Sequence, residues 1–146
     1  ATITPASGFV TIPGAFAIGL LGGGACYLAV TKLKAKLGYD DSLDVFGVHG
    51  VGSTIGMLMC GVLASKEVNA AIATTFQVNG QVVSLVGSAS QFKNQLIAVL
   101  VTVALSAIVT WVVLKAIDAT VGLRVNADQE DLGLDLSEHN EKAYND

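Results

Sequence analysis

The sequence has few charged residues. Asp, Glu, Lys and Arg make up 14% of its 146 residues, whereas about 25% is usual in a soluble globular domain. It has only two cysteines, Cys26 and Cys60, without the spacing of a zinc site or a disulfide framework. Neither a glycine-rich phosphate-binding loop nor a basic nucleic-acid patch occurs. The composition therefore favours a membrane protein, and we expect no metal, no cofactor and no nucleic-acid partner.

Three long runs of the sequence are free of formal charge. Residues 1–31 contain none, residues 45–65 contain only the titratable His49, and residues 94–114 contain none. A helix needs about 20 apolar residues to cross the hydrocarbon core of a bilayer. We therefore predict an all-α fold, a polytopic transmembrane helix bundle with at least three spans in this chain.

The spans and loops divide the chain into seven predicted segments. They are the end of a preceding helix with an outer loop (1–12), a transmembrane helix (13–33), a cytoplasmic loop (34–43), a transmembrane helix with His49 (44–65), an outer loop (66–93), a long transmembrane helix (94–124) and a cytoplasmic tail (125–146). The apolar start without methionine indicates that the chain continues a helix of a larger protein. In the outer loop, VNGQVV could turn as a hairpin at Asn79 and Gly80, although we favour an irregular loop.

Lysines determine the predicted orientation of the spans. Lys32, Lys34 and Lys36 are clustered at the short connection between the first two spans, and such clusters mark the cytoplasmic side under the positive-inside rule. Lys66 and Lys93 are spread over a long loop and weigh less. We predict a multi-pass protein of the cell membrane with a cytoplasmic C-terminus.

His49 is an ionisable residue inside an apolar span. At helical spacing from it lie Val45 on the inner side and, on the outer side, the small residues Gly52, Ser53, Gly56 and Cys60. Two interpretations of this face remain open. The small residues can pack closely against another helix while His49 bonds a carbonyl, or they can leave space for a substrate in front of the imidazole. Because an ionisable group within a membrane is costly, we favour a functional role.

Asp44 lies five residues before His49 and about 140° around an α-helix from it, so the two side chains share no face. A carboxylate at the start of a helix can accept backbone N–H bonds and suits the positive end of the helix dipole. We predict that Asp44 caps the second span, with a direct role in conduction as the alternative.

The chain becomes acidic from Asn126 onwards. This segment holds seven of the twelve carboxylates and a single lysine. Charge alone indicates a solvated, disordered end, but apolar residues alternate with the acids at Leu132, Leu134, Leu136 and Tyr144. This alternation favours a tail that docks on a surface.

Several of these motifs occur together, in this order, in one known family. The segments ITPASG, DDSLDVFGVHG with its glycine-rich continuation, DATVGLRV and GLDLSEHNEKAY resemble the C-terminal part of the ammonium transporters, the Amt/Mep/Rh family, in their bacterial form. The resemblance extends over nearly the whole chain. It agrees with the expectation that the chain belongs to a larger protein.

The resemblance implies a homotrimer in which each subunit has a narrow apolar pore for ammonium or ammonia. It makes His49 one of two neighbouring pore histidines, Val45 a pore-lining residue on the cytoplasmic side, and Thr4 a residue near the outer recruitment site. Asp44 corresponds to an acidic residue at the start of the same helix, and the glycine-rich face becomes pore wall. The second histidine and the outer gate belong to preceding N-terminal helices of the subunit.

The resemblance also assigns a role to the tail. Family tails of this pattern lie on the cytoplasmic face of the trimer, take part in gating, and form part of the platform for a trimeric nitrogen-regulatory protein of the P-II type. It points to Gly133, Asp135, His139 and Tyr144 as regulatory residues. An ammonium sensor on the same scaffold is the alternative function. The bacterial form of the tail disfavours an Rh-type gas channel, and the divergent faces of His49 and Asp44 disfavour an enzyme.

Overall fold

The computed structural model describes residues 1–74 and 76–141. The chain forms two compact units, Ala1–Thr102 and Val103–Asp146. The described residues include three helices that are long and apolar enough to cross a membrane, Ile12–Leu37, Phe46–Leu63 and Ala89–Thr120. We call them the first, second and third long helices. The helical class predicted from the sequence is confirmed.

The first long helix consists of α1 (Ile12–Leu28), a π-helical turn (Ala29–Leu33) and α2 (Lys34–Leu37). It begins where Thr11 Oγ1 accepts the Gly14 N–H at 3.4 Å and proline occupies the first turn, where a missing N–H has no cost. It ends before Gly38, whose φ of 63° is in the left-handed region that glycine adopts without strain. The helix therefore extends to Leu37, beyond the predicted end at residue 33.

The residues before this helix are not α-helical. Thr4–Ala6 form a 3-10 turn, Gly8 has a φ of 80°, and Val10 forms an isolated antiparallel bridge with Ala64. Pro5 cannot donate a helical hydrogen bond, and the positive φ at Gly8 is incompatible with a continuous helix. The prediction that residues 1–12 begin as the end of a helix is therefore wrong.

The second long helix consists of a π-helical segment (Phe46–Val51) and α3 (Gly52–Leu63). The first residues of the chain pack against it and against α1. A Cβ on Gly22 would overlap the Thr2 side chain, a Cβ on Gly56 would overlap the Thr2 carbonyl, and a Cβ on Gly52 would lie 2.9 Å from Thr2 Oγ1. Glycine at these three positions therefore permits the close approach. The buried cluster of this unit comprises Ala6, Ile18, Cys60, Ala64 and Ile72.

The connection between the second and third long helices has regular structure of its own. It contains α4 (Ala71–Thr74) and an antiparallel hairpin of β1 (Gln77–Val78) and β2 (Gln81–Val82). Asn79 and Gly80 form the turn with φ values of 52° and 77°, the left-handed conformation that a two-residue hairpin turn requires. Our preference for an irregular loop over this hairpin was therefore wrong.

The third long helix is α5 (Ala89–Thr120). Ser88 Oγ accepts the Gln91 N–H at 3.1 Å and so caps its start, which explains why the helix begins before the predicted residue 94. Its length of about 48 Å, at ~1.5 Å per residue, exceeds the ~30 Å of a hydrocarbon core. Gln91 is its only buried residue, so almost the entire apolar surface of this helix is uncovered in the described chain.

The acidic segment forms two short helices, α6 (Ala127–Leu132) and α7 (Leu134–His139). Asn126 and Gln129 make a capping box at the start of α6: the Gln129 N–H donates to Asn126 Oδ1 at 2.9 Å, and the Asn126 N–H donates to Gln129 Oε1 at 3.3 Å. Such a box supplies partners for the free N–H groups of a helix start. Local capping therefore gives structure to a segment whose charge alone would suggest disorder.

Replacing Gly56 by alanine should destabilise the protein. The new Cβ would overlap the backbone carbonyl of Thr2, which a side-chain rotation cannot relieve, and overpacking of this kind typically costs ~1–3 kcal/mol. Thermal unfolding of the purified, detergent-solubilised protein measures the effect. Gly24→Ala is the matched control, since a Cβ on Gly24 meets nothing within 4 Å. Equal melting temperatures for the two variants would contradict the packing described here.

Candidate functional site

His49 lies in the π-helical segment at the start of the second long helix. Its side chain is exposed in this chain, and Val45, four residues earlier, is 52% exposed. Gly47, between them, is buried. The structure therefore places His49 and Val45 on a surface that no other part of the described chain covers.

The small-residue face does not include His49, contrary to the prediction. Buried residues form a row along the contact surface of this helix: Gly47, Gly52, Gly56 and Cys60. Gly47 and Gly52 are five residues apart, whereas the later members of the row are four residues apart. A π-helical turn has i to i+5 hydrogen bonds and so brings residues five apart into line. The prediction that His49 lies in this row rested on α-helical spacing throughout the helix.

The buried small residues form a packing surface. A Cβ on Gly52 would lie 3.0 Å from the Cys26 sulfur as well as 2.9 Å from Thr2 Oγ1, and the Cys26 thiol donates to the Val48 carbonyl at 3.7 Å. No open space for a substrate therefore lies in front of these glycines. Of the two interpretations left open, close packing is confirmed for Gly52 and Gly56, and the predicted substrate space beside them is wrong.

Thr4 and Thr2 have different environments at the start of the chain. Thr4, the expected recruitment-site residue, is exposed in the 3-10 turn that contacts α3. Thr2 lies among the glycines of two helices, and its hydroxyl is 4.0 Å from the Cys26 sulfur. Thr2 was not among the residues predicted from the sequence. The glycines at positions 22, 52 and 56 were a signal of close packing, but nothing in the sequence named their partner.

Asp44 does not cap the second long helix with its side chain. The Val45 and Phe46 N–H groups both donate to the carboxylate of Asp41, each at 2.8 Å. Asp44 has a φ of 55°, and its carboxylate forms an ion pair with Lys34 at 2.7 Å. The predicted cap is therefore on the wrong residue, because Lys34 holds the Asp44 carboxylate and leaves the helix start to Asp41.

Lys34 links the end of the first long helix to the start of the second. Its ammonium group donates to the Asp44 carboxylate and also to the Asp41 carbonyl. The Val48 N–H donates to the Asp44 carbonyl at 2.9 Å, so the residue paired with Lys34 also belongs to the first turn of the helix that carries His49. Two acids therefore hold the start of the second long helix: Asp44 forms an ion pair with Lys34, and Asp41 caps the first N–H groups.

A groove in the first unit does not contain the predicted pore residues. It has a volume of about 400 Å³ and lies beside the π-helical turn of the first long helix. His49, Val45 and Thr4 do not line it; the lining residues are Ala25, Leu28, Ala29, Lys32, Leu33, Lys36 and Val51.

The tail residues occupy the junction and ends of the short helices in the second unit. Gly133 separates α6 from α7 with a φ of 95°, Asp135 is in the first turn of α7, and His139 is its last residue. Acids at a helix start and bases at its end both suit the helix dipole. Tyr144, the fourth predicted regulatory residue, lies outside the described residues.

Polar contacts hold the two tail helices together. The Gln129 side-chain amide donates to the Glu138 carboxylate at 3.3 Å, and the Ser137 hydroxyl donates to the Gly133 carbonyl at 3.0 Å. Arg124 forms an ion pair with Glu130 at 2.6 Å, but both side chains are more than half exposed, and such pairs contribute little stability. The tail is thus a small helical unit with an acidic surface.

Removing the Asp41 cap should destabilise the start of the second long helix. Asp41→Ala loses the acceptor for two N–H groups, and losing a helix cap costs ~0.5–2 kcal/mol, whereas Asp41→Asn keeps an acceptor oxygen. We expect the alanine variant to unfold at a lower temperature than the asparagine variant. Asp44→Asn serves as the comparison for the neighbouring acid. The assignment is contradicted if Asp41→Ala melts like the unaltered protein.

Comparison with known proteins identifies the family to which the chain is similar. The Ammonium Transporter Family matches residues 1–144. The chain is 42% identical to the ammonium transporter of Bacillus subtilis and 45% identical to ammonium transporter Amt1 of Archaeoglobus fulgidus, in each case over 99% of this chain and 34% of the relative. It is 43% identical to the ammonium transporter of Aquifex aeolicus, over 98% of this chain and 31% of the relative.

The chain thus spans about a third of the length of these relatives. The match covers both the second long helix with His49 and the described tail helices. The chain belongs to the ammonium transporter family.

Proposed function

We propose that this chain is the C-terminal third of an ammonium transporter subunit, which moves ammonium or ammonia across a cell membrane through an apolar pore. The observation that carries the proposal is the exposed imidazole of His49 on a helix apolar enough to cross a membrane, in a chain matched to the family over residues 1–144. An ionisable side chain in such a position is a functional residue by default.

The proposed pore surface is at the exposed start of the second long helix. His49 and Val45 lie there, whereas the glycine row faces Thr2 and α1. This side of the helix would face the preceding helices of the subunit, which supply the remaining pore wall and the second histidine of the proposed pair. Val45 would line the pore on the cytoplasmic side of His49. Thr4, exposed in the 3-10 turn, would lie near the outer entrance.

Selectivity in such a pore follows from the chemistry of the substrate. Moving a charged ammonium ion into an apolar pore is costly because its hydration is lost, whereas neutral ammonia has no such cost. Potassium cannot lose a proton and so has no neutral form. A neutral imidazole has one donor and one acceptor nitrogen. Two neighbouring histidines could therefore take up and pass on the proton that ammonium releases.

Removing His49 tests the proposed proton-handling role. In the complete transporter subunit, His49→Ala should abolish ammonium currents or allow potassium currents, because the site that separates the ion from its proton is lost. Electrical recording on proteoliposomes measures both ions, and size-exclusion chromatography checks assembly. Gly24→Ala is the control, since a Cβ on Gly24 meets nothing within 4 Å. Unchanged ammonium current and selectivity in the His49→Ala protein would remove His49 from the mechanism.

In the proposed topology the chain is part of a homotrimer, and its tail lies in the cytoplasm. Lys32, Lys34 and Lys36 lie near the end of the first long helix and would mark the cytoplasmic side. The third long helix would then return the chain to that side. The uncovered apolar surface of α5 would contact lipid or other helices of the assembly.

The tail would act as a regulatory surface. The two short helices present acidic side chains, and Gly133 has a backbone conformation (φ 95°) that other residues adopt only with strain. We place the contact with a trimeric nitrogen-regulatory protein of the P-II type on this surface, with Gly133, Asp135, His139 and Tyr144 as the residues to examine.

Truncation after Val125 tests the regulatory role. The shortened subunit should reach the membrane and assemble, because the tail lies beyond the three long helices, but its ammonium flux should be reduced or deregulated and its binding of the P-II protein weaker. Gly133→Ala, which strains the junction between α6 and α7, should shift both measurements in the same direction. Unchanged flux together with unchanged capture of the P-II protein would show that the tail is a solvated end. If ammonium rearranges the tail of the unaltered subunit but the subunit shows no ammonium flux, the result would favour an ammonium sensor.

A further inference from the structure

Two π-helical turns face each other in this chain. One is Ala29–Leu33 in the first long helix, and the other is Phe46–Val51 in the second, and the two segments are in contact. Turns of this type are rare and occur often at functional sites. His49 belongs to the second of them.

Gly47 and Val30 meet at the contact between the two turns. Gly47 is buried and Val30 is partly buried. A Cβ on Gly47 would lie 2.7 Å from Val30 Cγ2, 3.4 Å from the Val30 amide nitrogen and 3.6 Å from the Val30 Cα. The serious overlap is therefore with a single methyl group, while the backbone of Val30 leaves enough room for a Cβ.

The same contact determines which residues of the second helix are buried. Gly47 is aligned with Gly52 only because a π turn separates them, and Gly52 and Gly56 are held by their contacts with Thr2. An α-helical turn would bring residue 48 into line with Gly52. Val48 would then replace glycine at the contact with Val30, and His49 would rotate with it.

We propose that the lack of a side chain at Gly47, where the Val30 methyl group approaches it, permits the π turn and thereby sets the direction of the His49 imidazole. Gly47 is a positioning residue: it does not touch the substrate and acts through the direction of the imidazole. The consequence for transport rests on the proposed function, but the positioning itself does not depend on it.

Three variants of the complete transporter subunit test this inference. Gly47→Ala introduces the overlap, Val30→Ala removes the methyl group concerned, and the double variant combines the two. Gly19→Ala is the matched control, because a Cβ on Gly19 in α1 meets nothing within 4 Å. The first readout is the ratio of ammonium to potassium current in proteoliposomes, which loss of folded protein alone would leave unchanged.

The second readout reports the direction of residue 49 without requiring transport. His49→Cys is combined with each variant in a protein whose natural Cys26 and Cys60 are replaced by alanine. The rate of its reaction with a methanethiosulfonate reagent is then measured. If wild-type protein shows no ammonium flux but Gly47→Ala still alters this rate, the proposed function fails while the positioning inference stands.

Misplacing a reacting group by about 1 Å can lower a rate on the order of 100-fold. We therefore expect Gly47→Ala to reduce the ratio of ammonium to potassium current at least about tenfold. It should also change the rate at which the cysteine introduced at position 49 is labelled. Val30→Ala and Gly19→Ala should leave both unchanged. The double variant should return to within about threefold of wild type. If Gly47→Ala does not assemble, recovery of assembly and labelling in the double variant supports the inference. Wild-type behaviour of Gly47→Ala, or equal impairment of the single and double variants, overturns it.

Discussion

The close packing of Thr2 against Gly22, Gly52 and Gly56 is the contact on which the arrangement of the first unit depends. In a membrane the hydrophobic effect does not drive helices together, so association requires surfaces that fit at short range. Glycines on α1 and α3 provide that fit by letting the first residues of the chain lie against both helices. The packing of these glycines buries one side of the second long helix, whereas His49 and Val45 at its start are exposed in the described part of the chain.

The π turn reconciles this packing with the position of His49. Were the helix α-helical throughout, Val48 would come into line with Gly52, Gly56 and Cys60, and His49 would rotate toward the packed surface. The five-residue step from Gly47 to Gly52 instead brings Gly47 into line with that row. At the start of the same helix, the Asp41 cap and the ion pair of Asp44 with Lys34 secure the first turn. The imidazole is therefore presented by a helix whose rotation and start are both held by contacts within the chain.

Charge and hydropathy along the sequence predicted the helical class and the approximate course of the long helices, because crossing a membrane requires long apolar runs. Boundaries were less predictable: Ser88 and Gly38 decide where helices begin and end, and each acts through one local conformation. The face of His49 could not be predicted, since the π turn involves a contact between Gly47 and Val30 on different helices. The capping residue was misassigned because two acids lie near the helix start, and the position of Lys34 decides between them.

Family membership and the exposed histidine together support ammonium transport as the central claim, and flux through the unaltered protein tests it most directly. The complete subunit would be reconstituted in proteoliposomes, and currents would be recorded after ammonium and potassium concentration jumps of equal size. We expect a protein-dependent current with ammonium and none with potassium. Ammonium can release a proton and cross as neutral ammonia while the histidine pair passes the proton across, so that one positive charge moves, whereas potassium has no proton to release. Equal currents for both ions, or no ammonium flux by either electrical or isotopic measurement, would contradict the account.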